Sequence, residues 1–248
     1  MKKVLLTATL AAFTFFSTHV AQAADMRVHG SGTVGKGIVL PNQAGIEQST
    51  GFKLNVVTNG SGNGLKDLVA GKADVAMISA PLQVEADLTN AKAPGSLDIS
   101  GLQEHNVGAS KISFLIHPSN SGLQLTAAQI KDILTGKVTN WKAVGGADKA
   151  ILLAVEKPGQ GTRANVVAVF LGGAGFAGNA RQFNALAQVS QVVGQAPNAF
   201  GYGNASSISD KVHVVKGVDV DQPLSIVTKG APSADAQKLI DAVRAAAK

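Results

Sequence analysis

One arrangement recurs along this chain and limits what it can fold into. A short β-branched run is followed by a loop of glycine and hydroxyl residues, and then by a helical pattern. Residues 26–29, 53–58, 73–78 and 151–155 read as strands. The loops after them are Gly30-Ser31-Gly32-Thr33, Gly60-Ser61-Gly62-Asn63-Gly64, Ile78-Ser79-Ala80 and Pro158-Gly159-Gln160-Gly161-Thr162-Arg163. Strand, loop and helix in repetition predict an α/β fold with parallel strands. All four loops then fall at the C-terminal edge of the sheet, where open α/β sheets bind ligands. Glycine lets the backbone come close and turn its N–H groups outward. A helix N-terminus adds free donors and positive partial charge. With the hydroxyls of Ser61, Ser79 and Thr162, this donor set suits a small oxyanion. One exposed helix end supplies only ~0.3–1 kcal/mol. Several must converge to reach the ~8 kcal/mol of a micromolar site.

Other elements follow from standard signals. Residues 112–117 read as a strand stopped by Pro118, and 212–215 and 224–227 as two late strands. Thr126 and Gln129 form a capping box ahead of Ile130, Ile133 and Leu134, and Gly136 ends that helix. A last helix starts at Ser233 and carries Ala236, Leu239, Ile240 and Val243 on one face. Residues 65–70 and 163–171 predict two further helices. Residues 84–108 read as a connection with little regular structure, where the first change of lobe falls. Gly37, Pro41 and Gly45 weaken any helix over 35–49.

The N-terminus has the layout of an export signal. Lys2 and Lys3 precede an apolar run over 4–16, and Ala21-Gln22-Ala23 has the small-x-small form of a cleavage site. The expected product starts at Ala24 and is periplasmic or secreted. The absence of cysteine excludes a disulfide scaffold, a thiolate metal site, an iron–sulfur cluster and cysteine catalysis. A net charge of +6 without a dense Lys/Arg block gives no basis for a nucleic-acid partner.

His29, His105, His117 and His213 have no metal-ligand spacing, so neither a metal nor another cofactor is expected. His29, beside the first glycine loop, is a candidate ligand contact. Gly30 to Gly35 match G-x-G-x-x-G, but no acidic residue ends the second strand as a dinucleotide site requires. Ser61 is the second residue of its pentad, so G-x-S-x-G is not formed. No carboxylate pair stands out for acid–base work, and no catalytic residue is assigned.

The stretch Leu125-Thr-Ala-Ala-Gln-Ile-Lys-Asp-Ile-Leu-Thr-Gly-Lys-Val-Thr-Asn-Trp-Lys-Ala-Val-Gly-Gly146 is similar to L-T-x-x-Q-x-x-x-I-F-x-G-x-I-x-N-W-x-x-x-G-G. That pattern belongs to the periplasmic phosphate-binding proteins of ABC importers. The glycine loops, residues 73–81, Phe200-Gly201-Tyr202 and residues 223–230 resemble further segments of that family in the same order. The resemblance implies a two-lobed type II periplasmic binding fold closing by a hinge. Lobe one would hold 24–107 and 203–248, and lobe two 108–202. It also implies ligand binding by Thr33, Val34, Ser61, Ser79, Gly161, Thr162 and Arg163. Phosphate or a related oxyanion would pass to an ABC permease in the inner membrane, with no chemistry performed.

Two residues depart from the family pattern. Glu156 stands where the family has a phosphate-clamping Arg, and Gln160 where it has Ser. A carboxylate ~4 Å from an anion costs ~4 kcal/mol at an effective dielectric of 20. Either Glu156 points away, or it is protonated and donates, or the ligand is not phosphate. Arg163 or Lys157 could replace the missing charge. The alternative role is a scaffold or sensor of the same fold that has lost phosphate binding. A hydrolase using Ser61 is a third reading.

Overall fold

The computed structural model describes residues 25–91 and 93–247. The expected leader and its cleavage site lie outside the described residues. Eight strands form one mixed sheet in the order β2-β1-β3-β8-β4-β7-β5-β6. They are β1 (Asp25–Gly30), β2 (Lys53–Val57), β3 (Val75–Ile78), β4 (Leu102–Ile116), β5 (Leu152–Glu156), β6 (Arg181–Phe183), β7 (Ala199–Asn204) and β8 (His213–Lys229).

The predicted parallel pairing holds at both ends of the sheet, where β1 joins β2 and β3, and β5 joins β6 and β7. In the middle the pairing is antiparallel: the long strands β4 and β8 pair with each other, β8 with β3 and β4 with β7. The two late strands expected at 212–215 and 224–227 are parts of the single strand β8. Its pairing with β4 is shifted twice, between Asn106 and Gly108 and between Ser113 and Leu115. Bulges of this kind bend a strand. Here they lie where the two long strands pass from one half of the sheet to the other.

Each half buries both faces of its sheet. In the first half Val75, Met77 and Ile226 face one way, onto Ile38, Leu239 and Ile240. Ala76, Ile78 and Val227 face the other way, onto Leu65 and Leu68. This is the period-2 alternation of strands, doubled into a continuous apolar run because both faces are covered. In the second half Ile112, Phe114, Phe200 and Tyr202 pack with Ile130, Ile133 and Trp141, while Leu115 and Ala199 pack with Val193 on the opposite face. Val215 and Val220, placed in lobe one by the division expected at 203, pack in the second core.

The helices are α1 (Gly32–Val34), α2 (Gln43–Thr50), α3 (Ser61–Val69), α4 (Leu82–Asn90), α5 (Ala127–Thr135), α6 (Gly161–Asn165), α7 (Leu186–Gln195) and α8 (Ala234–Ala246). One π-type turn extends α1 over Gly35–Val39, and another extends α6 over Val166–Phe170. The capping box of α5 is formed: the Gln129 N–H donates to Thr126 Oγ1 at 3.2 Å, and the Thr126 N–H to Gln129 Oε1 at 2.9 Å. Ser233 caps α8, and Ala236, Leu239, Ile240 and Val243 form its buried face.

The span 84–108 is not irregular. It holds most of α4 and the first half of β4. Between 102 and 110, β4 pairs with β8 and, among the described residues, has no strand on its other side. An edge strand of this kind carries polar residues. Gln103, Glu104, His105 and Asn106 therefore concealed it.

Candidate functional site: three helix N-termini meeting between the halves

The first two glycine loops interlock through their backbones. Gly30 ends β1 at φ +131°, where a Cβ would collide with the Met77 carbonyl. Ser31 can then donate its N–H to Met77 O at 2.8 Å, and Gly60 donates its own to Gly30 O at 2.9 Å. A Cβ on Gly64 would lie 2.5 Å from Gly30 Cα. These close approaches draw the N-termini of α1 and α3 together at the C-terminal edge of β1 and β3.

Ser31 Oγ caps α1, accepting from the N–H groups of Thr33 at 3.1 Å and Val34 at 3.3 Å. Its own hydroxyl donates to Ser79 Oγ at 2.9 Å. The Ser79 N–H donates to Ser61 Oγ at 3.3 Å. The fourth loop, from the second half, closes on this group. Thr33 and Thr162 hydroxyls are 3.1 Å apart. Gly161 is pressed so tightly that a Cβ would meet both Ser61 Oγ and Ser79 Oγ, with Glu85 Oε1 at 2.6 Å. Two amides lock the arrangement: Gln222 Nε2 donates to Thr162 Oγ1 at 2.8 Å and to Ser79 O at 3.1 Å, and Asn204 Nδ2 donates to Thr33 Oγ1 at 2.9 Å.

Of the residues expected at the site, Thr33, Ser61, Ser79, Gly161 and Thr162 are brought together and buried. Val34 is adjacent, with its N–H engaged by Ser31. Arg163 stands apart from the hydroxyl cluster. Its Nη1 donates to Glu156 O at 2.8 Å, and its guanidinium lies 4.5 Å from the Phe176 ring centre. His29 bonds Asp67 at 2.9 Å. Ser31, Gln222, Asn204 and Glu85 were not anticipated. Ser31 sits inside the first loop motif and was legible as a cap. Gln222 and Asn204 come from strands far away in sequence, and no local pattern marks them.

Two carboxyls are buried around this cluster. Glu85, on α4, is 2% exposed and Glu156, at the end of β5, is 4% exposed. Burial pushes the Glu85 carboxyl up to about 8, against a hydrogen bond from Ser61 and with help from the Glu156 and Glu104 charges. Burial likewise pushes Glu156 up to about 8, opposed by the Arg163 backbone N–H and the Arg163 charge. Desolvation penalises the ionised form, and no lysine or arginine forms an ion pair with either group among the described residues. Glu156 therefore does not point out to solvent. It lines a cavity of about 60 Å³ with Lys36, Thr58 and Asn204. Glu85 Oε1, Glu156 Oε2 and Gln222 Oε1 are buried without a hydrogen-bond partner. Burial also raises the Tyr202 phenol, whose oxygen accepts the Glu156 N–H at 3.2 Å.

Chemically the site is a cluster of hydroxyls and helix N-termini beside carboxyls that are mostly neutral at pH 7. Such a cluster can donate hydrogen bonds to oxygen atoms of a small ligand. No group of three or more metal-ligating side chains occurs among the described residues.

Comparison with known proteins bears on the fold and the family. A curated relative, the phosphate-binding protein PstS of Bacillus subtilis, is 24% identical over 199 residues, which is 80% of this chain and 63% of that protein. The chain thus spans under two thirds of that relative's length. A Clostridium perfringens chain described as a phosphate ABC transporter substrate-binding protein, solved with bound phosphate, superposes with a TM-score of 0.74 at 26% identity. That match covers 88% of this chain and 92% of the other. An ABC-type phosphate transport receptor from Vibrio cholerae shares the fold, with a TM-score of 0.66 at 20% identity over 89% and 93% of the two chains. The family model described as the PBP superfamily domain matches residues 17–243, and the chain belongs to that superfamily.

Proposed function

We propose that the chain is the solute-binding component of an ABC-type importer, holding phosphate or a related small oxyanion between its two halves. The observation that carries this reading is the meeting of Thr33 and Thr162 hydroxyls, 129 residues apart in sequence, beside Ser61 and Ser79. One half supplies the N-termini of α1 and α3, and the other supplies that of α6. An anion at this point would be gripped from both sides, and its binding would favour the closed arrangement. The relatives named for phosphate binding and transport support the choice of ligand and role. The export signal read in the sequence supports a periplasmic location and delivery to a permease in the inner membrane.

Glu156 fits this reading as a neutral donor. At pH 7 a carboxyl titrating near 8 is mostly protonated and can donate its O–H. Arg163 would act through the α6 terminus and the wall of the site, since its guanidinium is committed to Glu156 O and Phe176. The protein would perform no reaction: Ser61 is bonded to the Ser79 N–H and to Glu85, and no histidine hydrogen-bonds to it among the described residues.

Calorimetric titration of the processed chain at pH 6.5 against phosphate, sulfate, molybdate and tungstate tests the reading. Micromolar binding of at least one is expected, lost in Thr162→Val. Absence of heat and of any thermal shift with all four would reject it in favour of a scaffold or sensor role.

A further inference from the structure

Two cavities border the glycine loops. One, of about 330 Å³, opens between α3, α4 and α6 and is lined by Gly62, Lys66, Leu88 and Val167 among others. The other, of about 60 Å³, is lined by Gly32, Lys36, Glu156 and Asn204 among others. Gln160 lines both, and no other residue is common to the two. The cavities meet at this one residue.

The Gln160 side chain reaches from the second half to the first. Gln160 holds the N-cap position of α6, yet its side chain makes no capping bond there. It lies against Gly60 instead. A Cβ on Gly60 would be 3.1 Å from Gln160 Nε2 and 3.2 Å from its Cδ. Glycine makes this seat possible, since the same Cβ would fall 2.6 Å from the Gly159 carbonyl oxygen and φ is +99°. The backbone fixes the contact: Gly62 donates its N–H to Gly159 O at 3.4 Å. Gly60 is the N-cap of α3, so the amide lies between two of the helix ends that would grip the anion. At 9% exposure it is packed there, and a packed position yields to added bulk only at a cost.

We infer that Gln160 is a specificity-determining residue: its side chain bars the way from the helix ends into the two cavities, so the site accepts bare oxyanions and rejects those carrying a bulky substituent. The inference rests on the anion-binding reading above and adds to it the residue that limits ligand size. A substituent leaving the anion toward either cavity would meet the Gln160 amide, and exclusion by bulk discriminates without any contact to the accepted ligand.

The test titrates the processed chain with inorganic phosphate and with phenylphosphonate, which keeps the anionic head and adds a ring. The parent should bind phenylphosphonate at least about tenfold more weakly than phosphate, the cost of forcing bulk into a packed space. Gln160→Ala removes the barrier and should tighten phenylphosphonate at least about tenfold over the parent. A gain of binding cannot come from a damaged fold. Gln160→Met refills the space without the amide and should keep the parent's discrimination. If Gln160→Ala does not fold, Gln160→Ser takes its place. Equal binding of the two probes by the parent, no gain in Gln160→Ala, or the same gain in Gln160→Met overturns the inference. Phosphate binding by the parent in any of these cases leaves the oxyanion reading standing. Phosphate binding seen only in Gln160→Ala also overturns the inference, because the residue would then bar the bare anion too. Failure of both probes with the parent and the variants overturns it as well, and the four-anion titration above then decides the oxyanion reading separately.

Discussion

Glu156 shows how one residue ties stability to ligand preference. Its carboxyl titrates near 8 in the folded chain and near 4.5 when unperturbed. The folded state therefore holds a proton that the unfolded state gives up between those values. The stability linked to this proton is complete below about 4.5 and is lost as pH rises through about 8. Glu85 shifts in the same direction for the same cause. We expect the melting temperature to fall between pH 5 and 8.5, and to fall less in Glu156→Gln, as thermal scans across that range would record. Ionisation also turns a donor into a repelling anion. If sulfate is bound, its affinity, free of titration of the ligand itself, should drop at least about tenfold between pH 6.5 and 9. Glu156→Gln should flatten that drop, and an unchanged pH profile in the variant would separate Glu156 from the ligand. The sequence exposed Glu156 as a departure but not its state, because burial is a property of the folded neighbourhood. Thr33, Ser61, Ser79 and Thr162 were legible because glycine loops at strand ends have a local signature. Gln222 and Asn204 were not, since each reaches the site only through strand pairing.

At the level of elements, local chemistry and long-range pairing divided the work. The α5 helix was readable in full, because its cap, apolar face and Gly136 stop are all local signals. Gly136 has φ +82°, a conformation that costs glycine nothing. Removing the cap by Thr126→Ala should cost about 1 kcal/mol. Since α5 packs in the second core away from the hydroxyl cluster, oxyanion affinity should stay unchanged. Denaturant unfolding beside a titration checks both halves of that statement, and a large affinity loss would reveal coupling from α5 to the loops. The first half of β4 and the α4 helix escaped notice for a different reason. Edge pairing needs no apolar alternation, and α4 buries little beyond Glu85 and Ala86. The α6 helix begins at the glycine loop itself and passes into a π-type turn, so its apolar residues 166–171 mark its end better than its start.

For the whole molecule, the two cores are separate, but the strands joining them are not. β4 and β8 each contribute side chains to both cores, with Val107 and Leu224 in one and Ile112 and Val220 in the other. Loss of either core would strip one end of both long strands. We therefore expect a single thermal transition, with calorimetric and van't Hoff enthalpies in agreement. Two resolved transitions would mean that the crossing strands yield as a hinge before either core melts. The resemblance anticipated the two lobes. The place of their second junction depends on Val215 and Val220, whose partners lie about a hundred residues earlier in the chain.

The crossing of β4 and β8 has a mechanical consequence. The second half is an insertion: the chain enters it along β4 and leaves it along β8, and these two strands are bonded to each other. The first described strand, β1, and the last helix, α8, both belong to the first half. A force applied between β1 and α8 is thus carried by the first half alone. The second half stays slack until β8 is peeled from β4, so a tether on β1 or α8 leaves the fourth loop free to approach and withdraw.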